Sequence, residues 1–239
     1  MKREIKAALL VCFLFAVSSC KKDDDTNTIT VSESDVAEAV GESVYNSSGG
    51  LVVQSTTAAE YSSALMNTRK SAKVSDQCGI KHDTTLAATG ENYSYSFNWN
   101  WLLTCSEIVP QTFVFNYAGK TAYETVRMSS SDSAKANITV SGLGEDSTYY
   151  VFNQTYTRNG SQTSKVNQKR SFTSLISIVS TDIRISKSTL KILSGTGAVT
   201  VKGEASGGKS FSYTGTITFL GNEKATLVVT GGATYNLTW

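Results

Sequence analysis

The sequence predicts a mainly β fold of the α+β class. We expect an antiparallel meander of about eight to ten strands, curved or sandwich-like, with one or two short N-terminal helices packed on it. From residue 90 onward, apolar and polar residues alternate, as in strands that bury one face. Turn dipeptides such as Gly-Asn, Gly-Gly and Asn-Gly separate these segments. No long helical pattern lies between them, which argues against a parallel sheet.

Residues 32–70 carry two helical patterns. Ser32 is placed to cap the first helix, and its apolar stripe recurs every four residues. The stripe consists of Val36, Val40 and Val44. Thr57 and Glu60 have the spacing of a capping box and predict the start of a second helix. Both helices are short and weakly amphipathic, so we expect them to lie on the sheet.

The strongest strand pattern begins at Tyr93. Apolar residues, most of them aromatic, take every odd position to 103, and Ser or Asn takes the even positions from 94 to 100. This alternation predicts a strand with one aromatic face and one polar face. A partner strand is expected at 113–117, with Pro110 in the turn. Further strands are predicted around 138–140, 150–156, 172–179, 183–193, 211–219, 227–229 and 235–239.

The first 20 residues have the layout of a secretory signal. Lys2, Arg3 and Lys6 precede an apolar run over 7–17. This run is shorter than the roughly 20 residues that a membrane-spanning helix needs. The four residues at 17–20, Val-Ser-Ser-Cys, resemble a bacterial lipobox.

The lipobox resemblance implies a signal peptide over 1–19 and a palmitate-type lipid anchor on Cys20. A tether over 20–31, the helical segment and a β domain over 71–239 would follow. The charged run Lys-Lys-Asp-Asp-Asp after Cys20 resembles the surface-export signal of Bacteroidota-type lipoproteins. That resemblance implies an outer-membrane protein that is lipid-anchored and exposed at the cell surface, with the periplasmic face as the alternative. It covers only about the first 25 residues.

Two cysteines remain for a disulfide. Cleavage removes Cys12 and acylation occupies Cys20, which leaves Cys78 and Cys105. Since the signal directs the chain to an oxidising compartment, we expect these two to form a disulfide bond. In the chain-entropy model, a bond that closes such a loop stabilises the fold by about 3–4 kcal/mol. A reactive thiol pair is the alternative, and no C-x-x-C spacing supports it.

The composition argues against several functional classes. The chain has one His, His82, and the residue after it, Asp83, carries a carboxylate. There is no G-x-S-x-G elbow, phosphate-binding loop or dinucleotide fingerprint. We therefore expect no enzyme, no cofactor and no metal. Without residues 1–19 the chain has 19 basic and 19 acidic residues, and it lacks an aromatic-basic motif, so we expect no nucleic-acid partner.

Charge is uneven along the chain. Residues 158–210 contain nine basic residues against Asp182 and Glu204, whereas 23–60 contain eight acidic residues and no basic one. A basic face could meet anionic lipid headgroups, lipopolysaccharide or acidic glycans. Lysines that discourage edge-to-edge pairing of strands are the simpler explanation.

The aromatic strand face is the candidate ligand site. Tyr93, Tyr95, Trp99 and Trp101 could stack on sugar rings while neighbouring Asn side chains bond hydroxyl groups. The same pattern is more typical of a core, in which each aromatic side chain buries about 150–250 Å². Our leading hypothesis is a non-enzymatic, lipid-anchored envelope protein whose β domain binds a glycan, an envelope component or a protein partner.

Two alternatives remain open. The first is a lipid or lipophile carrier, which resembles envelope lipoprotein-carrier families in architecture only, with an apolar cavity between a curved sheet and its helices. The second is an unrecognised hydrolase. A carrier predicts a cavity, whereas a surface binder predicts exposed aromatic residues. The sequence leaves the ligand and the oligomeric state open.

Overall fold

One antiparallel sheet forms most of the molecule. The computed structural model describes residues 30–45, 49–67, 74–166 and 170–239. The helices are α1 (Glu33–Tyr45), α2 (Leu51–Asn67) and a short 3₁₀ helix (Val74–Gln77). The strands are β1 (Lys81–Thr89), β2 (Tyr93–Ser106), β3 (Val109–Glu124), β4 (Met128–Ser141), β5 (Tyr149–Ser164), β6 (Ser171–Ser186), β7 (Ile192–Ala205), β8 (Ser210–Gly221), β9 (Lys224–Val229) and β10 (Thr234–Thr238). Each strand pairs with the next in chain order, so the predicted meander is confirmed, as one open sheet and not a sandwich.

The predicted signal peptide, the predicted acylation site Cys20 and most of the predicted tether lie outside the described residues. The described chain begins at Thr30, just before α1.

Helix α1 begins where the sequence predicts it. The Ser32 hydroxyl accepts the backbone N–H of Asp35 at 3.3 Å, and the Asp35 carboxylate accepts the backbone N–H of Ser32 at 3.1 Å. This reciprocal pair satisfies two donors at the start of the helix. Helix α2 begins at Leu51, before the predicted start at Thr57. Within this additional part of the helix, the Ser55 hydroxyl donates to the Leu51 carbonyl at 2.9 Å, so the polar side chain is satisfied locally.

The sheet curves around the two helices. Gln54 of α2 accepts a hydrogen bond from Trp99 of β2, and Glu33 of α1 accepts one from Tyr235 of β10. A flat sheet of ten strands would be about 43 Å wide, whereas two adjacent helices cover about 20 Å. The helices reach from β2 to β10 because the sheet bends around them. We call the covered side the inner face and the opposite side the outer face.

The space between the helices and the inner face is filled. Its largest side chains come from strands across the whole sheet and are almost fully buried. They include Phe113, Ile138, Phe152, Ile178 and Ile217. The gap between α1 and strands β7 to β9 measures about 10 Å³, which is about the space of one water molecule. The inner face is therefore a packed core.

Cys78 and Cys105 form the predicted disulfide, with Cα atoms 5.7 Å apart. It ties the segment before β1 to the end of β2. The sequence predicts Pro110 in the turn after β2, and this is wrong. Pro110 lies in β3, opposite Cys105. A register shift beside Cys105 accommodates it, and the turn itself is Glu107-Ile108.

Candidate functional site

Two of the four predicted ligand-binding aromatic residues lie under α2. Trp99 is 7% exposed, and its indole N–H donates to the Gln54 side chain at 2.8 Å. The Trp101 ring stacks on Tyr61 of α2, with ring centroids 4.1 Å apart. Both tryptophans therefore belong to the contact between helix and sheet.

The other two candidates lie at the margin of the inner face. Tyr93 is 47% exposed and Tyr95 is half-buried. Their rings stack at 6.0 Å, and the Tyr95 ring stacks on Phe97 at 4.5 Å. The Tyr93 ring also lies against Gly90, where any larger residue would collide with it. The four aromatic candidates thus share a strand face but not an exposed surface.

His82 and Asp83 do not form a catalytic pair. His82 lies opposite Trp101 on the inner face, with the two rings 5.5 Å apart. Asp83 lies opposite Asn100 and so points to the outer face. In the parts of the chain that the structure describes, no group of three or more His, Cys, Asp or Glu residues is placed to hold a metal ion.

The basic residues of 158–210 do not make one patch. Arg158 is buried, and most of the others that the structure describes contact a carboxylate or a carbonyl oxygen. The carboxylate pairs are Lys165–Glu124 at 2.6 Å, Arg170–Asp35 at 3.2 Å, Arg184–Asp182 at 3.3 Å and Lys191–Glu223 at 2.8 Å. Their charge is largely neutralised by neighbouring residues.

The outer face carries a groove that sequence reasoning did not anticipate. It crosses β1 to β5 and has a volume of about 610 Å³. The side chains that point into it are small or polar: Ala87, Thr89, Ser94, Ser96, Lys120, Ala122, Ser131, Ser133 and Asn159. Asp132 also borders the groove, but its carboxylate points to the inner face and binds Arg158. We call this surface the outer groove.

A row of asparagines lies on the same face as the outer groove, four residues along the strands from the row of Lys120 and Ser133. Asn100, Asn116 and Asn137 are direct cross-strand neighbours on β2, β3 and β4. The Asn116 amide donates to Asn100 at 3.0 Å, and the Asn137 amide donates to Asn116 at 2.7 Å. We call these three residues the asparagine ladder. It borders an adjoining groove of about 350 Å³ that also contains Lys135 and Thr157.

The ladder retains hydrogen-bonding capacity. An Asn side chain has two N–H donors and an oxygen with two lone pairs. Asn116 and Asn137 each use one N–H within the ladder, so the second N–H of each amide is left for a ligand or solvent. Because the three side chains hold each other in place, little side-chain entropy is lost when a ligand binds.

A buried polar cluster lies on the inner face behind the outer groove. The Arg158 guanidinium contacts the Asp132 carboxylate at 2.5 Å and the Tyr123 hydroxyl at 2.7 Å. Burial raises the pKa of the Tyr123 hydroxyl well above its usual value. Burial alone would lower the pKa of Arg158, but Tyr123 and Asp132 outweigh it, so the pKa is raised and the side chain stays charged. The cluster is shielded from solvent and connects β3, β4 and β5, three of the strands that form the groove.

Comparison with protein-family models, with curated proteins and with solved structures found no match to this chain. Neither α1 nor α2, nor any other helix in the described ranges, has the length and hydropathy to cross a membrane. The function is therefore inferred from the residues of the site.

Proposed function

We propose that this chain is a lipid-anchored, non-enzymatic protein of the cell envelope that binds a glycan on the outer face of its sheet. The asparagine ladder on the same face as the outer groove carries this proposal. Amide side chains both donate and accept, as sugar hydroxyl groups do. The two grooves, of about 350 and 610 Å³, are shallow and open to solvent, so a ligand would lie along the sheet surface and not inside an enclosed pocket.

The packed inner face favours a surface binder over a carrier. A lipid would need a cavity of several hundred Å³, whereas the gap beside α1 holds about 10 Å³. Native mass spectrometry separates the two functions. We expect the acylated protein to show no additional non-covalently bound mass. A bound lipid mass that disappears on denaturation would support the carrier instead.

The lining of the outer groove favours binding over hydrolysis. Glycoside hydrolysis needs two carboxylates that face the scissile bond. The groove borders on one carboxylate, Asp132, and Arg158 holds it on the opposite face. A neighbouring depression contains Glu91 and Glu124, and Glu124 is held by Lys165. The lining of the outer groove itself therefore offers hydrogen bonds without an acid–base pair.

The position of the chain start is compatible with a lipid anchor. The Val31 carbonyl accepts the Tyr213 hydroxyl at 3.1 Å, and Glu33 accepts the backbone N–H of Ala233 at 2.7 Å. The tether would therefore leave from the end of the sheet that carries the β9–β10 turn. Ten residues from Cys20 onward reach at most about 33–36 Å. Since the helices lie on the inner face, the outer groove would stay open to a ligand.

Replacing Cys20 tests the anchor. We expect Cys20→Ser to lose its acyl chains and to leave the membrane fraction, because no other acylated residue would hold it. Cys12→Ser, within the signal peptide, is the matched control and should leave membrane association unchanged. An acylated mass for the Cys20→Ser protein would contradict the proposal.

Replacing the central asparagine tests the glycan site. The acylated protein in detergent is assayed against a panel of neutral and acidic polysaccharides. Asn116→Leu removes both ladder bonds and should weaken glycan binding at least about tenfold, the effect of about 1.4 kcal/mol. Asn236→Leu, an exposed position on the outer face of β10, is the matched control. An equal loss in both variants, or a wild-type protein that binds no polysaccharide, would refute the proposed function.

A further inference from the structure

Two lysines in the grooves lack an acidic partner. Lys120 borders the outer groove, Lys135 borders the adjoining groove, and both are exposed. In the described ranges of the chain, no carboxylate lies within ion-pair distance of either ammonium group. Lys165 and Lys191 differ, since each contacts a glutamate. The grooves therefore carry positive charge that the protein does not neutralise itself.

The two lysines are close together on one face. Lys120 of β3 pairs with Ser133 of β4, and Lys135 pairs with Ala118, so the lysines occupy diagonal positions on adjacent strands. Such positions are about 7–8 Å apart. Two exposed lysine side chains that start this close can both reach one anion, which would offset the repulsion between their charges.

A third lysine extends the positive surface. The row that contains Lys120 and Ser133 continues through Asn159 and Leu175 to Lys202 on β7. Four strand spacings separate Lys202 from Lys120, about 19 Å along the curved face. An extended ligand that lies across the strands could reach all three lysines.

The acidic residues of this face surround the outer groove, and none of their carboxylates points into it. Asp83 lies in the row of the asparagine ladder, on the edge strand β1. Glu91 and Glu124 line a depression that shares Thr89, Ser94 and Ala122 with the outer groove, and Glu124 is paired with Lys165. Glu204 lies two residues from Lys202 on the same face, opposite Thr173. The middle of the outer groove is lined by serines and Asn159. Its charge therefore complements an anionic ligand.

We infer that the ligand of the outer groove is an acidic polysaccharide, with carboxylates at Lys120 and Lys135 and hydroxyl groups at the asparagine ladder and the groove serines. This inference rests on the proposed function. A small anion would pair with the lysines but leave the ladder and most of the 610 Å³ unused. Among the described residues, Tyr95 is the one aromatic residue that borders the groove, and its ring stacks on Phe97 on the inner face. No ring among these lining residues is therefore placed for the base stacking that single-stranded nucleic acids use.

The test compares an acidic and a neutral polymer on the acylated protein in detergent. We expect polygalacturonate to bind at least about tenfold more tightly than dextran, with an affinity that falls as salt rises. The double variant Lys120→Gln/Lys135→Gln should lose about tenfold for polygalacturonate, as expected for two exposed ion pairs. Lys120→Arg/Lys135→Arg should keep the affinity. Lys209→Gln/Lys224→Gln, exposed positions outside the outer groove, carries the same charge change and should also keep it.

Three results would overturn the inference while leaving glycan binding intact. They are equal affinity for dextran and polygalacturonate, an equal loss in the two Lys→Gln variants, and equally tight binding of single-stranded poly-dT. If Asn116→Leu still weakens glycan binding at least about tenfold in these cases, the proposed function stands and only the acidic ligand is wrong. If the wild-type protein binds neither polysaccharide, both proposals are wrong.

Discussion

The buried ion pair of Arg158 and Asp132 shows how strongly single residues depend on their partners in this core. The two side chains are 5% and 1% exposed. Asp132 also accepts hydrogen bonds from Thr121 at 2.7 Å and Ser130 at 2.9 Å. A buried charge without its partner costs several kcal/mol because water no longer solvates it. Each member of the pair therefore stabilises the fold only while the other is present.

We expect Asp132→Ala to lower the free energy of unfolding by about 3–5 kcal/mol, because it leaves the Arg158 charge buried without its carboxylate partner. The double variant Asp132→Ala/Arg158→Met should recover part of this loss. Urea unfolding followed by circular dichroism measures both. Lys191→Met, which breaks an exposed pair with Glu223, should cost less than about 1 kcal/mol. The single variant Arg158→Met completes the cycle. A double variant that loses as much stability as Asp132→Ala and Arg158→Met added together would contradict the coupling.

Arg158 also marks a limit of sequence reasoning at this scale. In the sequence, Arg158 is one of nine basic residues between 158 and 210 and does not stand out from the others. The alternation that buries Tyr156 places Arg158 on the same inner face. That position follows from the period of two, but its acidic partner lies on another strand. The pair therefore becomes visible only when β4 and β5 are in register.

Among the elements, the edge strand β1 depends most on the disulfide. Only one side of β1 pairs with another strand, β2. The Cys78–Cys105 bond fixes the segment that enters β1 to the far end of β2. A loop of this length corresponds to about 3.5 kcal/mol in the chain-entropy model.

We expect the double variant Cys78→Ser/Cys105→Ser to lose about 3.5 kcal/mol of stability. The change should appear first as faster amide exchange in β1, since edge strands open before the rest of a sheet. A reducing agent should lower the melting temperature of the wild-type protein and leave that of the variant unchanged. Two free thiols in the unreduced wild-type chain would show that the bond does not form.

The sequence predicts elements better than it predicts their partners. The alternation from Tyr93 is sufficient to identify β2 and its two faces. The stretches at 172–179 and 183–193 were expected as strand segments. The first and the start of the second form one strand, β6, because a bulge with Asp182 at φ 55° lets the strand continue. The asparagine ladder could not be predicted, since a shift of one residue in either hairpin would move an Asn to the other face.

At the scale of the whole molecule, the two faces of the sheet have different roles: the inner face forms the core, and the outer face is exposed to solvent. Alternation along the strands shows that one face is apolar, but not what covers it. In the structure the two helices cover it, and polar side chains fill part of the contact, as in the Gln54–Trp99 hydrogen bond. The outer face keeps the Ser, Thr and Asn residues that the strands do not bury. Whether the apolar face forms a packed core or a cavity therefore depends on how the helices pack against it. Composition alone does not determine this.

The packed interior also encloses several tyrosine hydroxyls. Burial raises the pKa of Tyr117, Tyr123 and Tyr156 far above the usual value. Burial, with help from Glu42, raises the pKa of the half-buried Tyr45 to about 12. In the unfolded chain these hydroxyls lose their protons near pH 10. Between pH 10 and about 12 the folded state therefore binds more protons than the unfolded state.

Stability should consequently be independent of these tyrosines below about pH 10 and should fall above it, because proton loss then favours the unfolded chain. Each fully buried tyrosine contributes a slope of about 1.4 kcal/mol per pH unit. Urea unfolding at a series of alkaline pH values, followed by phenolate absorbance, measures this slope. Tyr156→Phe removes one fully buried hydroxyl, which donates to the Gly49 carbonyl at 3.1 Å, and should reduce the slope by one tyrosine's share. If the folded protein shows the full phenolate absorbance at pH 10 to 11, these tyrosines are accessible to solvent and the packed interior is wrong.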